Sequence, residues 1–453
     1  MRISQRTKRM IRIFFLSWNL LVVIGFVIGY VFVNCNAIII PTRETAKEID
    51  EIVSTIYENG QFSGAVLIAV NGEIIYNNAF GYANIEDRIL NTPDTKFRIA
   101  SFTKPFTAML ILQLVQDGKL QLDGKLTQYL PEFPKEKGQN ITIHQLLTHT
   151  AGITGESRIT DLIDIEKEFY TREKLLDIIA QQELVFEPGE GREYSNFGYA
   201  LLGLIIEQVT GKSYDKVLEE NICNPAGMKN TLSDVTAQPI ENRAVGYTYD
   251  YFTGLEKASF IDMSFAFGAG QLLSTVEDLY LFDRALYSNS LLTDESKELF
   301  FNEYGWFHER YPIGNGIKKV LSNSLDGSVN GFQSHTQRIE KDEVFIVTLR
   351  NVKESVYENE IVIKWPTFMV SRILAVLYDE PYDRPKKSAA FTVFDTLVHS
   401  GHKDAEELYT RIRNEQLDRY YIDENEFVYF ESELVNAGMP DMARYYQRIH
   451  TEH

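Results

Sequence analysis

Phe97-Arg98-Ile99-Ala100-Ser101-Phe102-Thr103-Lys104-Pro105-Phe106 is the stretch around which the chain can be laid out. It contains Ser-x-x-Lys. The run that follows, to about Gln116, carries Phe106, Met109, Leu110, Ile111, Leu112, Leu114 and Val115 on most sides of a helix. A helix apolar all round is buried inside a fold, and Asp117-Gly118 supplies its stop. Residues three apart share a helix face, so the Ser101 hydroxyl and the Lys104 amine can meet. A serine becomes a nucleophile only when a neighbouring base takes its proton. A lysine is such a base when burial or the positive end of a helix keeps it partly neutral. The same helix end offers backbone N–H groups to an oxyanion. Pro105 falls in the first turn, where a missing N–H costs little. Taken alone, the motif is a weak signal and reads first as a surface helix start with Ser101 as its N-cap, so its surroundings carry the argument.

Upstream, Ala65-Val66-Leu67-Ile68-Ala69-Val70 and Ile74-Ile75-Tyr76 flank Asn71-Gly72, a strong hairpin signal. Antiparallel strands therefore precede the Ser101 helix. Residues 34–50 read as a linker. Before them, residues 13–33 form an apolar run of 21 residues in which Ser17 and Asn19 are the clearly polar members. That length spans a bilayer. Arg2, Arg6, Lys8, Arg9 and Arg12, with no acid among residues 1–12, mark a cytoplasmic tail and place the body outside. A cleaved signal peptide is the alternative. Val33-Asn34 before Cys35 does not offer the small residue that lipid attachment wants.

The chain has 453 residues, too many for one compact domain, with 44% hydrophobic and 24% charged residues. A net charge of −19 argues against nucleic acid as a partner. Cys35 and Cys223 are its two cysteines, and with one at the membrane edge no structural disulfide is expected. No His, Cys and carboxylate cluster has zinc spacing, so neither a metal nor another cofactor is expected.

Downstream of Ser101-x-x-Lys104 come Leu120-Gln121-Leu122-Asp123, Gln128-Tyr129-Leu130-Pro131-Glu132 and Ile143-His144-Gln145-Leu146-Leu147-Thr148-His149-Thr150-Ala151-Gly152-Ile153. Phe186-Glu187-Pro188-Gly189 then leads into Tyr194-Ser195-Asn196-Phe197-Gly198-Tyr199, and Gly268-Ala269-Gly270-Gln271-Leu272-Leu273-Ser274-Thr275 follows. In this order, over about residues 60–375, the chain resembles the serine β-lactamase and penicillin-binding-protein superfamily, in its class C β-lactamase-related branch. The resemblance implies an α+β fold, a mostly antiparallel sheet flanked by helices with a helical insert, over residues 51–380. It implies Ser101 as nucleophile, Lys104 and Tyr194 sharing the proton work, and Asn196 binding the substrate amide. The backbone N–H groups of Ser101 and Ser328 would form an oxyanion hole, with Gly327 beside them. In isolation Tyr194 and Asn196 are also a packing tyrosine and a helix cap. His149 reads as structural within its turn and His144 as a surface residue.

The third motif departs from the family. Its Lys or His position falls on Leu325, in Leu325-Asp326-Gly327-Ser328, and a leucine neither donates a proton nor anchors a carboxylate. That change predicts weak β-lactam turnover beside better hydrolysis of neutral esters. The expected function is thus a membrane-anchored extracytoplasmic serine hydrolase, forming an acyl-enzyme on D-amino-acid (peptidoglycan-type) peptides or small esters and amides. A β-lactamase is one alternative. A non-catalytic ligand-binding homologue, favoured by Leu325, is the other. Beyond a polar boundary at 381–387, Leu397, Gly401, Asp404 and Tyr409 recur 37 residues later as Leu434, Gly438, Asp441 and Tyr446. Residues 388–453 therefore read as a helical, tetratricopeptide-like tail that docks on the hydrolase domain, a candidate surface for protein contacts, or as a plain helical extension.

Overall fold

The protein is described by a computed structural model over residues 39–155, 168–234, 239–354 and 367–452. It divides at Ile40/Pro41, and the described helices and strands lie in the unit from Pro41 onward. The expected membrane span at 13–33 lies outside the described residues. Among those described, no helix is long and apolar enough to cross a membrane.

Helix α1, Arg43–Glu58, replaces part of the expected 34–50 linker. Thr42 caps it by accepting from the Thr45 N–H, and Ile49, Ile52, Val53 and Ile56 form one buried stripe. The stripe is spaced at i, i+3, i+4 and i+7 among charged residues, which hid it in the sequence. Strands β1, Gly64–Val70, and β2, Glu73–Phe80, come next. The turn between them has Asn71 at φ 53° and Gly72 at φ 75°, the left-handed pair that matches the twist of a two-residue hairpin.

Helix α2 runs over Thr103–Gln116, two residues later than the sequence suggests. Ser101 sits instead in a 3₁₀ turn, Ala100–Phe102. Ala100 enters that turn at φ 48°, a conformation unusual for alanine that the sequence does not signal. Eleven residues of α2 are buried, Lys104 among them. Helix α3, Asn196–Thr210, has Ser195 as its N-cap. Strands β3 (Phe307–Ile313), β4 (Lys318–Val329), β5 (Phe332–Ile339) and β6 (Val344–Arg350) complete the main sheet. Its order is β3-β4-β5-β6-β1-β2, antiparallel throughout. Helix α4, Thr367–Leu377, packs with α1 and with the sheet edge at β3.

Pleating sends alternate residues to opposite faces. Ala65, Leu67 and Ala69 of β1 and Phe345, Val347 and Leu349 of β6 join the large core with α2 and α3. The C-terminal segment has helices α5 (Ala389–Ser400), α6 (His402–Glu415), α7 (Glu424–Asn436) and α8 (Pro440–Glu452). They form two helical hairpins, and Gly401 and Gly438 at their bends have φ 100° and 77°. These helices bury a core of their own, closed by Tyr251 from the hairpin of strands Tyr247–Asp250 and Gly254–Lys257. Tyr251 lies edge-on to Phe394 and Phe430, with ring centroids 5.9 and 5.4 Å away.

Candidate active site

The 3₁₀ turn and the first turn of α2 bring Ser101 and Lys104 together, with Nζ 3.1 Å from Ser101 Oγ. Lys104 is 3% exposed. Its ammonium also donates to Asn196 Oδ1 at 2.5 Å and to the Ala269 carbonyl at 3.0 Å. Three oxygens thus surround the Lys104 nitrogen. Tyr194, the residue before the α3 cap, donates from its hydroxyl to Ser101 Oγ at 2.8 Å. The Lys104 ammonium lies 4.7 Å from the centre of the Tyr194 ring. Ser101 Oγ thus stands between a phenol and an ammonium, a setting that stabilises negative charge developing on either oxygen.

Ser195 and His149 fix Tyr194 in place. Ser195 Oγ accepts from the Gly198 N–H at 3.0 Å and donates to the Thr154 carbonyl at 2.9 Å. His149 Nδ1 accepts from the Ser195 N–H at 3.2 Å, and its ring lies 4.7 Å from that of Tyr194 and 5.2 Å from that of Tyr199. An imidazole nitrogen that accepts is unprotonated. Burial first, then the charges of Lys104 and Arg192, push His149 down to about 3. His149 is thus a neutral prop in a left-handed backbone position, φ 61°. His144 is exposed and pairs through Nδ1 with the Tyr304 hydroxyl at 2.9 Å.

Close backbone approach places the Ala269 carbonyl. A Cβ on Gly203 of α3 would lie 2.7 Å from the Phe267 ring, and one on Gly268 would lie 2.9 Å from the Tyr199 carbonyl. Two glycines thus let α3 press against the turn that carries Ala269. Its carbonyl, the third partner of Lys104, has no side-chain signature. The glycine pairing is the signal that could have located it.

The third motif lies on β4. A two-residue loop joins Val329 to Phe332, and the closing pair of such a hairpin is hydrogen-bonded, with alternation from there. Val329, Gly327 and Leu325 therefore turn their backbone groups to β5, while Ser328 and Asp326 turn theirs the other way. Pairing of β3 with β4 stops at Phe307 opposite Ser324, so Ser328 presents its N–H at an edge that β3 leaves open. A Cβ on Gly327 would lie 2.1 Å from the Ile99 carbonyl oxygen and 2.5 Å from Ser334 Oγ. Ser334 Oγ also donates to that carbonyl at 2.8 Å. Glycine is thus what allows β4 to lie against the turn bearing Ser101. Leu325 is 3% exposed and belongs to the large core.

One further group approaches this strand. Lys353, in the short strand Val352–Glu354 after β6, donates from Nζ to Ser328 Oγ at 2.6 Å. Sequence reading missed it, because no motif ties residue 353 to residue 328.

Known proteins resemble this chain over most of its length. The family model described as Beta-lactamase matches residues 49–351. Penicillin-binding protein 4* of Bacillus subtilis is 29% identical over 381 residues, covering 78% of this chain and 81% of that protein. The structure of D-amino acid amidase from Ochrobactrum anthropi is similar with a TM-score of 0.63 at 27% identity, over 74% of this chain and 99% of that one. A class C β-lactamase shares the fold, with a TM-score of 0.59 at 20% identity over 74% of this chain and 96% of that one. With the family model spanning most of the described body, the chain belongs to the Beta-lactamase family and is a serine hydrolase of the β-lactamase and penicillin-binding-protein kind.

Proposed function

We propose that the protein hydrolyses D-amino-acid peptides or small amides and esters on the outer side of a membrane, through an acyl-enzyme on Ser101. The observation that carries this reading is the closed set of contacts from Lys104 to Ser101, Asn196 and Ala269, with Tyr194 on the far side of Ser101 Oγ. A binding module that had lost turnover would have no need of a buried lysine with every donor used. Likeness to a D-amino acid amidase supports substrates of D configuration.

The steps follow from the geometry. In the reacting form the Tyr194 hydroxyl has given its proton to solvent, and the phenolate, stabilised by the Lys104 ammonium, takes the Ser101 proton as Oγ bonds to the substrate carbonyl carbon. Charge on the carbonyl oxygen is met by the N–H groups of Ser101 and Ser328. Tyr194 passes the proton to the leaving nitrogen or oxygen, the C–N or C–O bond breaks, and Ser101 keeps the acyl group. Water then gives a proton to Tyr194 and attacks the ester, and Ser101 Oγ leaves and regains its proton. Asn196, fixed through Lys104, holds the substrate amide. The basic residues ahead of the apolar run at 13–33 support an N-in anchor with residues 51–453 outside.

The test is labelling with a fluorescent penicillin and a fluorophosphonate, with mass spectrometry of the adduct. Label on the tryptic peptide bearing Ser101, absent in Ser101→Ala, is expected. Undiminished labelling of a folded Ser101→Ala protein would overturn the assignment.

A further inference from the structure

Ser328 faces two ways. Its N–H points to the open edge of β4, and its exposed hydroxyl lies on the face opposite Leu325 and Gly327, because side chains alternate along a strand. Lys353 reaches that hydroxyl from a neighbouring strand, at 2.6 Å. Among the described residues, the Ser328 hydroxyl is the only partner of this ammonium, and no described carboxylate forms an ion pair with it. Two of its three N–H donors therefore remain for another acceptor. Lys353 is also positioned from both sides. Val352, Lys353 and Glu354 pair in parallel with Tyr247, Thr248 and Tyr249. Asn351, just before them, anchors the crossing by donating to the Tyr82 and Val245 carbonyls, each at 2.9 Å.

We infer that Lys353 is the carboxylate-recognising residue of this enzyme, supplying from a different strand the positive charge that Leu325 removes from the third motif. The ligand class is an acyl-peptide or acyl-amino acid with a free C-terminal carboxylate on the leaving-group side of the scissile bond. A carbonyl held by the Ser328 N–H places the following atoms along the open edge of β4, past the Ser328 side chain. A carboxylate there meets the ammonium and the Ser328 hydroxyl together. Asp326 lies two residues away on the same face, half exposed, with Oδ1 2.7 Å from His335 Nδ1. Its negative charge disfavours a carboxylate displaced further along the strand, which narrows the accepted position to the Lys353 end. The inference rests on the proposed serine-hydrolase function, and it reverses the preference for neutral substrates that Leu325 alone implies.

The experiment compares N-acetyl-D-alanyl-D-alanine with its C-terminal carboxamide on the full chain, wild type, Lys353→Met and Lys353→Arg. For wild type, kcat/KM should favour the free acid by about tenfold to a hundredfold, the usual size of one charge-assisted pair. Lys353→Met should collapse that ratio toward one, and Lys353→Arg should keep most of it. A wild-type ratio near or below one, or an unchanged ratio in Lys353→Met, overturns the inference. A second measurement does not depend on turnover: calorimetric binding of the same two compounds to Ser101→Ala. A preference for the acid that Lys353→Met removes supports Lys353 even if wild type cleaves neither compound, an outcome that would count against the proposed substrate class alone. Equal affinity for acid and carboxamide overturns it.

Discussion

Gly327→Ala is the sharpest single perturbation of the site. The added methyl would sit 2.1 Å from the Ile99 carbonyl oxygen and 2.5 Å from Ser334 Oγ, where ordinary contact begins at 3.4 Å. The carbonyl is backbone, two residues before the nucleophile, so it cannot swing aside. Strand β4 must retreat from the Ser101 turn by roughly 1 Å, at a typical overpacking cost of about 1–3 kcal/mol. A chain of this size survives that loss. Catalysis is more sensitive, because the Ser328 N–H moves with the strand. A misplacement of about 1 Å costs on the order of 100-fold, and loss of one oxyanion donor costs about 100- to 1,000-fold. The assay pairs a urea titration with the rate of Ser101 acylation by a fluorescent penicillin. The expected result is a modest shift of the unfolding midpoint beside a fall of at least 100-fold in acylation rate. A Gly327→Ala protein that acylates at the wild-type rate would show that Ser328 does not serve the oxyanion, and that β4 is not set against Ser101 as described.

Lys104→Met should leave the protein folded by circular dichroism yet lower acylation by about 100- to 1,000-fold, the range of a lost preorganised charge partner; retained labelling would remove Lys104 from the mechanism. His149 is held neutral in the folded state, its value lowered to about 3 from an ordinary 6.5. The unfolded chain therefore binds the extra proton first, so stability falls as pH drops from about 6.5 toward 3, by at most ~1.4 kcal/mol per unit. His149→Asn, a residue that tolerates the left-handed backbone, should flatten that slope, and parallel wild-type and variant curves of Tm against pH would refute it. Tyr251→Ala removes the ring that closes the core of the C-terminal helices and should cost about 3 kcal/mol. Limited proteolysis near residues 381–387 should accelerate with it, and unchanged protection would mean that other contacts hold those helices.

Features carried by neighbouring residues were legible without coordinates. Asn71-Gly72 declared its hairpin, because only a few residue types accept two successive left-handed conformations. Ser101 and Lys104 were readable as partners because helical turns bring i and i+3 together, and Tyr194 and Asn196 sit in a familiar local string. What depended on distant register stayed hidden. The Ala269 carbonyl contributes through backbone alone, and Lys353 finds Ser328 only once β5, β6 and the following strand are laid down in order. The entry into α2 was displaced by two residues because Ala100 takes a conformation that alanine seldom adopts. Helix α1 was concealed for another reason, since its four buried residues are spread among ten polar or charged ones that dominate a linear reading.

The strand order of the main sheet bears on how the chain is made. Strand β1 leaves the ribosome early, yet one of its two partners is β6, with Gly64 opposite Arg350. Lys104 likewise waits for a carbonyl 165 positions further on. Central closure of this kind is slow, because a long loop must be ordered before the distant contact compensates for it. During synthesis the hairpin of β1 and β2 therefore spends most of its time with one buried-type edge open, at the stage when aggregation is most dangerous. The delay also has a protective side. The groups gathered around Ser101 come from chain positions between 101 and 328, so no nascent fragment short of the third motif holds the complete site.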